Sequence, residues 1–252
     1  MFPKVVAIIQ ARMQSTRLPG KVLLPLAGKP VLWWIAKRAS LAKLVDDVMV
    51  ATCASEANYP IYSFCQREEI DVFSYTGEEN DVIGRVLAAA EWSRADIIVD
   101  ITADCPMVDP RHIDNLIMKL KKITESYKDQ LDYASNDIIS RSWPDGLDIQ
   151  VYWRDALERC KDLFVPKQHC GWNIAQHPEI FNIYHWKAMP SMHWPELGLT
   201  LDTSEDYEML KVLFNKFGDD PGFSSEAVIT FLRKNPEYIT NTNVKRKSPE
   251  EG

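Results

Sequence analysis

VVAIIQARMQSTRLPGK, residues 5–21, decides the architecture. It opens with an unbroken apolar run of strand length, Val5–Ile9, the mark of a strand covered on both faces. The chain then turns polar and carries Arg12, Arg17 and Lys21, interleaved with Ser15, Thr16 and the turn pair Pro19-Gly20. A solvated loop is the ordinary explanation for so small a basic cluster. Its position argues for an anion site instead. In an open α/β sheet ligands bind beyond the carboxyl ends of the strands, and these cations leave the end of the first one.

Working outward, strand and helix signals alternate. Val31–Leu44 places Leu32, Ile35, Ala36, Ala39 and Leu44 near helical spacing. Asp47–Thr52 predicts a strand, Glu56–Glu69 a helix and Asp71–Tyr75 a strand. Asp81 is suited to cap a helix through Trp92, Asp96–Ile101 is a further buried strand, and Pro110 opens an amphipathic helix. This alternation over the first 125 residues predicts a parallel α/β sheet with helices on both faces. Residues 132–195 differ in character, with Trp143, Trp153, Trp172, Trp186 and Trp194 among many aromatics and prolines. They read as an inserted arm or lid, with short strands in LDIQVY and FNIYHW flanking a helix near Trp153–Leu163. Helices follow at Ser204–Phe217 and Ser224–Asn235. The expected organisation is one domain over residues 1–242, the arm at about 132–195, and a disordered tail at 243–252.

Composition narrows the function. The 252 residues are 46% hydrophobic, carry a formal net charge of −7, and contain no apolar segment near the length that spans a bilayer. MFPKVVAIIQ lacks a small-residue cleavage site and reads as a strand, not a leader. Cys53, Cys65, Cys105, Cys160 and Cys170 form no C-x-x-C pair, so reduced thiols in the cytoplasm are expected. The acidic balance argues against nucleic acid as a partner. A P-loop would need glycine where Ser15 stands and Ser or Thr where Val22 stands, and no G-x-G-x-x-G occurs. Phosphates would therefore be held by Arg and Lys side chains with the loop's backbone N–H groups. Asp104 follows a buried strand, again at a carboxyl end, and Asp202 precedes a helix, where it reads on its own as a helix cap.

IIQARMQSTRLPGKVLLPLAGKPVL resembles the start of the cytidylyltransferases that make CMP-activated sugars. The resemblance is to the branch called spore coat polysaccharide biosynthesis protein F, with CMP-Kdo and CMP-neuraminate synthetases as relatives. It continues in order through GEENDVIGRV (77–86), TADCPMVDP (102–110), DYASN (132–136), PDGLDIQVY (144–152), HPEIF (177–181) and LTLDTSEDYEML (199–210). What it implies is a Rossmann-like nucleotide-diphospho-sugar transferase fold, a mixed and mostly parallel sheet. It also implies transfer of CMP from CTP to a sugar or sugar-acid hydroxyl, with release of pyrophosphate, in surface-glycan biosynthesis. Carried over, Ala11, Arg12, Ser15, Arg17, Lys21, Arg85 and Asp104 bind the nucleotide, with Arg17 and Lys21 acting in catalysis. Asp104 and Asp202 fall at the family's Mg2+ positions, and relatives commonly dimerise through the arm, so a homodimer is expected.

Departures from the family pattern lie on the sugar side. Asp100 stands where relatives often carry Arg, Gln150 where Glu is usual, Lys167 and Gln168 where Arg-Glu is usual, and Gly198 replaces a frequent Arg. Asp145, Asp148, Gln150 and His169 are the candidate acceptor contacts. Two other functions compete: a glycosyltransferase using a ready-made nucleotide sugar, and a non-catalytic nucleotide binder. Glycosyltransferases of this fold often carry a D-x-D metal motif, and the chain has none.

Overall fold

Val5, Ala7 and Ile9 enter one hydrophobic core and Val6 and Ile8 another, and all five are fully buried. The first strand thus runs through the middle of the protein, with side chains alternating between two faces. The computed structural model describes residues 2–126, 130–136, 140–161, 163 and 170–244.

The strands are β1 (Val5–Gln10), β2 (Pro25–Leu26), β3 (Lys29–Pro30), β4 (Asp47–Cys53), β5 (Asp71–Tyr75), β6 (Ile97–Thr102), β7 (Tyr133–Ser135), β8 (Gln150–Trp153) and β9 (Ile183–His185). The helices are α1 (Val31–Ala39), α2 (Tyr59–Arg67), α3 (Val82–Ser93), α4 (Pro110–Ser126), α5 (Arg154–Lys161), α6 (Cys170–Ala175), α7 (Ser204–Phe217) and α8 (Ser225–Lys234). A seven-stranded sheet runs in the order β5-β4-β1-β6-β8-β7-β9. β8 pairs antiparallel with both β6 and β7, while the other pairings are parallel. The mixed, mostly parallel α/β sheet is the expected one. Side chains of α1, α2, α4, α7 and α8 fill one core, and those of α3, α5 and α6 fill the other. β1 leads through α1 to β4 on one side of it, while the strands that follow β6 lie on the other side, so strand order reverses between β1 and β6. A crevice opens there at the carboxyl ends of both strands.

Residues 132–195 depart from the expected arm. They supply β7, β8 and β9, so much of the segment extends the sheet. Register explains it: Ile97, Ile98 and Val99 of β6 face Trp153, Tyr152 and Val151 of β8, which covers an edge that β6 would otherwise expose. The aromatics go inward. Tyr133, Tyr152, Trp143 and Phe181 are buried, and Trp143, Trp186 and His112 pack ring against ring. Trp153, Trp172 and Trp194 are partly buried. The surplus aromatic surface that would call for a partner subunit is thus mostly used within the chain. Phe164, Lys167, Gln168, His169 and residues 245–252 of the expected tail lie outside the described residues. Among the described residues, no helix is long and apolar enough to cross a membrane.

Candidate active site

The loop after β1 is closed by its own backbone. Gly20 N–H donates to Met13 O at 3.0 Å, and Gly20 adopts the left-handed conformation at φ 72°. A side chain there would strain the turn that aims the next residue. Lys21 then begins a short 3-10 turn and sends its ammonium back across the crevice. Its Nζ lies 2.9 Å from Asp104 Oδ2 and 2.9 Å from Asp202 Oδ1. Arg17 reaches Asp202 Oδ2 at 3.0 Å. Three chain segments that are remote in sequence meet in one cluster.

Asp104 lies just past β6, as expected. Asp202 is not a helix cap. Thr203 caps α7, accepting from Asp206 N–H, and Asp206 completes a capping box. The Asp202 carboxylate is thereby left to face the cations. Burial pushes the Asp104 carboxyl upward, but the Lys21 charge and hydrogen bonds from Thr102 and Lys21 outweigh it. Its pKa is held below the usual value. For Lys21 burial acts to lower the pKa, and the charges of Asp104 and Asp202 overcome this and raise it. Each group is fixed in its charged form.

Among the described residues, no three His, Cys, Asp or Glu side chains converge as a metal cluster. The two aspartates do converge on one cation position, filled by Lys21 Nζ. Two carboxylates, with water and substrate phosphate completing the shell, are a donor set that suits Mg2+.

The other expected site residues divide. Arg12 is exposed and makes no described hydrogen bond or ion pair, so it is available to an anion. Ser15 Oγ accepts from Leu18 N–H and shapes the loop. Ala11 is buried, with its N–H committed to Ala51 O. Arg85 is only 4% exposed, and its Nη1 donates to Glu79 O and contacts Cys53 Sγ, away from the Lys21 cluster. Asp145 and Asp148 share Arg141, at 3.1 and 3.7 Å. Asp145 N–H donates to Leu197 O, and Leu201 N–H donates to Asp104 O, so the segment leading to Asp202 joins both groups. Gln150 pairs in register with Asp100. Asp100 is buried and accepts from Gln10 and Tyr152, and burial raises its pKa.

One contributor had escaped the sequence. A cavity of about 640 Å3 opens at the ends of β4 and β5, lined in part by Asn58, Glu56, Ser74, Tyr59 and Tyr62. Asn58 Oδ1 accepts from Met13 N–H of the cationic loop at 2.9 Å, while its buried Nδ2 has no partner among the described residues. Only the weak signal of an Asn among turn residues marked it in the sequence.

Cations and carboxylates at a switch point, reached by a loop that replaces the P-loop, define a nucleotide-transferring class of site. A family model described as Cytidylyltransferase matches residues 6–141. The chain is 32% identical over 240 residues to spore coat polysaccharide biosynthesis protein SpsF of Bacillus subtilis, covering 94% of this chain and 97% of that one. A solved cytidylyltransferase from Leptospira borgpetersenii superposes with a TM-score of 0.86 at 29% identity, over 97% of this chain and all of the other. A CMP:2-keto-3-deoxy-manno-octonic acid synthetase solved with CTP shares the fold, with a TM-score of 0.61 at 21% identity over 84% of this chain and 99% of its own. The chain belongs to the cytidylyltransferase family.

Proposed function

We propose that this cytidylyltransferase joins CMP from CTP to a sugar hydroxyl at the Lys21–Asp104–Asp202 cluster, releasing pyrophosphate, and that it serves surface-glycan synthesis. The observation that carries it is the single ammonium shared by two carboxylates beside Arg17 and the exposed Arg12. The glycan assignment is supported by the similarity to the spore coat polysaccharide protein and to a CMP-sugar synthetase.

Arg12, Arg17 and Lys21 bind the triphosphate and neutralise charge that builds on the leaving pyrophosphate, a task of positioning and electrostatics. To do so Lys21 leaves the carboxylates and turns to the phosphates. Asp104 and Asp202 would hold Mg2+, and the ion, when bound, would supply charge neutralisation at phosphate and acidification of the attacking hydroxyl. Cytosine occupies the cavity beside the loop, where Asn58 Nδ2 donates to a ring acceptor. The acceptor sugar approaches from the β8 side, near Asp145, Asp148 and Gln150. His169 belongs to the same approach by resemblance.

The protein works in the cytoplasm, a placement supported by five buried free cysteines. Resemblance also supports a two-fold homodimer through residues 132–195. Light scattering should return twice the 28.9 kDa chain mass; a fully active monomer at the same concentration contradicts it. The function itself is tested with CTP, Mg2+ and a panel of acidic, neutral and amino sugars. Pyrophosphate release that requires one of these sugars supports it. Sugar-independent hydrolysis of CTP, or no reaction with a broad panel, does not.

A further inference from the structure

Asp206 is fully buried, and it does more than close the first turn of α7. Its Oδ2 accepts from Asp202 N–H at 3.0 Å and Thr203 N–H at 2.9 Å, and from Thr203 Oγ1 at 3.2 Å. A usual capping box reaches only the cap residue; here the clasp extends one residue further, to the peptide that carries Asp202. The Oδ1 atom accepts from Asn241 Nδ2 at 2.7 Å, and the same Nδ2 donates to Gly198 O at 3.0 Å. Asn241, 35 residues beyond Asp206, is itself 5% exposed. One residue before Asp202, Leu201 N–H donates to Asp104 O at 2.8 Å. The backbone of Asp202 is thus pinned on both sides, to Asp104 through Leu201 and to Asn241 through Asp206.

We infer that Asp206 and Asn241 are positioning residues that set the separation of the Asp104 and Asp202 carboxylates. The inference rests on the metal role proposed above for Asp202. Two protein ligands leave most of a Mg2+ shell to substrate and water, and that ion tolerates little deviation from octahedral geometry. A small rotation of the Asp202 peptide would therefore weaken the site without unfolding anything.

The test separates geometry from stability. In Asp206→Ala and Asn241→Ala the Mg2+ concentration for half-maximal pyrophosphate release should rise about tenfold or more, while KM for CTP at saturating Mg2+ moves less than about twofold. Asp206→Asn keeps one oxygen for the Asp202 and Thr203 amides but sets an NH2 group against Asn241 Nδ2, so it should recover only part of the loss. Mn2+ bound beside a non-hydrolysable CTP analogue, read from its free-ion EPR signal, should weaken in the same order. A lowered melting temperature with unchanged metal midpoint and Mn2+ binding overturns the proposal and leaves Asp206 a partner in the capping box of Thr203. If Asp202→Asn itself leaves Mn2+ binding unchanged, the metal role fails first and the positioning role falls with it.

Discussion

Lys21 Nζ lies 2.9 Å from Asp202 Oδ1 across 181 residues of sequence, and the same nitrogen touches Asp104 at 2.9 Å. The ammonium stands where a divalent cation would sit between these carboxylates. On the proposed reading metal and nucleotide are coupled: the triphosphate would draw Lys21 away, and only then would both carboxylates be free. Wild-type protein should bind Mn2+ weakly without nucleotide and much more tightly with a non-hydrolysable CTP analogue. Lys21→Met should bind Mn2+ without nucleotide, because two carboxylates lose a counter-ion. Equal Mn2+ affinity of the two proteins without nucleotide would contradict the exchange.

The same cluster fixes a pH signature of the ligand-free protein. Asp104 is held below its ordinary 3.8, so its contribution is present above that pH and is lost as pH falls through the lowered value. Lys21 is raised above 10.5, so its contribution is present below that pH and is lost as pH rises through the raised value. Between those limits the pair should add a pH-independent increment to stability. In Lys21→Met the burial of Asp104 meets less opposition, so its pKa should rise above the unfolded value. That variant should be destabilised by on the order of 2 kcal/mol at pH 7 and regain stability as pH falls toward 5. Thermal melts across pH 5–9 decide it. A parallel pH dependence in both proteins would mean that the ion pair does not govern the Asp104 charge.

Base choice should reside in Asn58. Asn58 lines the cavity; its Oδ1 supports the loop through Met13, and its buried Nδ2 has no partner among the described residues. Asn58→Asp keeps the acceptor and removes the donor. CTP should raise the melting temperature of wild type more than ATP, GTP or UTP, since a ligand that binds only the folded state stabilises it. In Asn58→Asp that preference should shrink toward the other nucleotides. An unchanged CTP preference in a folded variant would move the base elsewhere.

The central sheet was legible because Val5–Ile9 is apolar on both faces, a pattern that fits a strand between two helix layers. Helix ends were legible where a cap or a first-turn proline stands, as at Asp81, Pro110 and Ser224. β7 and β9 have three residues each and β8 has four, too few for periodicity to separate a sheet strand from an appendage. What recruits them is pairing, of β8 with β6, of β7 with β8 and of β9 with β7, a property of tertiary packing. The cationic loop and both aspartates could be named from sequence, but their convergence on one nitrogen could not. Asn58 and Asn241 were invisible for the same reason: each acts through a partner 45 or 35 residues away.

The most direct measurement follows the phosphorus atoms. Phosphorus NMR of wild type with CTP, Mg2+ and the acceptor found in the sugar panel should show a new phosphodiester resonance growing together with pyrophosphate. Lys21→Ala and Asp202→Asn, confirmed as folded by circular dichroism, should form both about a hundredfold more slowly or less. Phosphodiester formation at the wild-type rate in either folded variant would contradict the assignment of CMP transfer to this cluster.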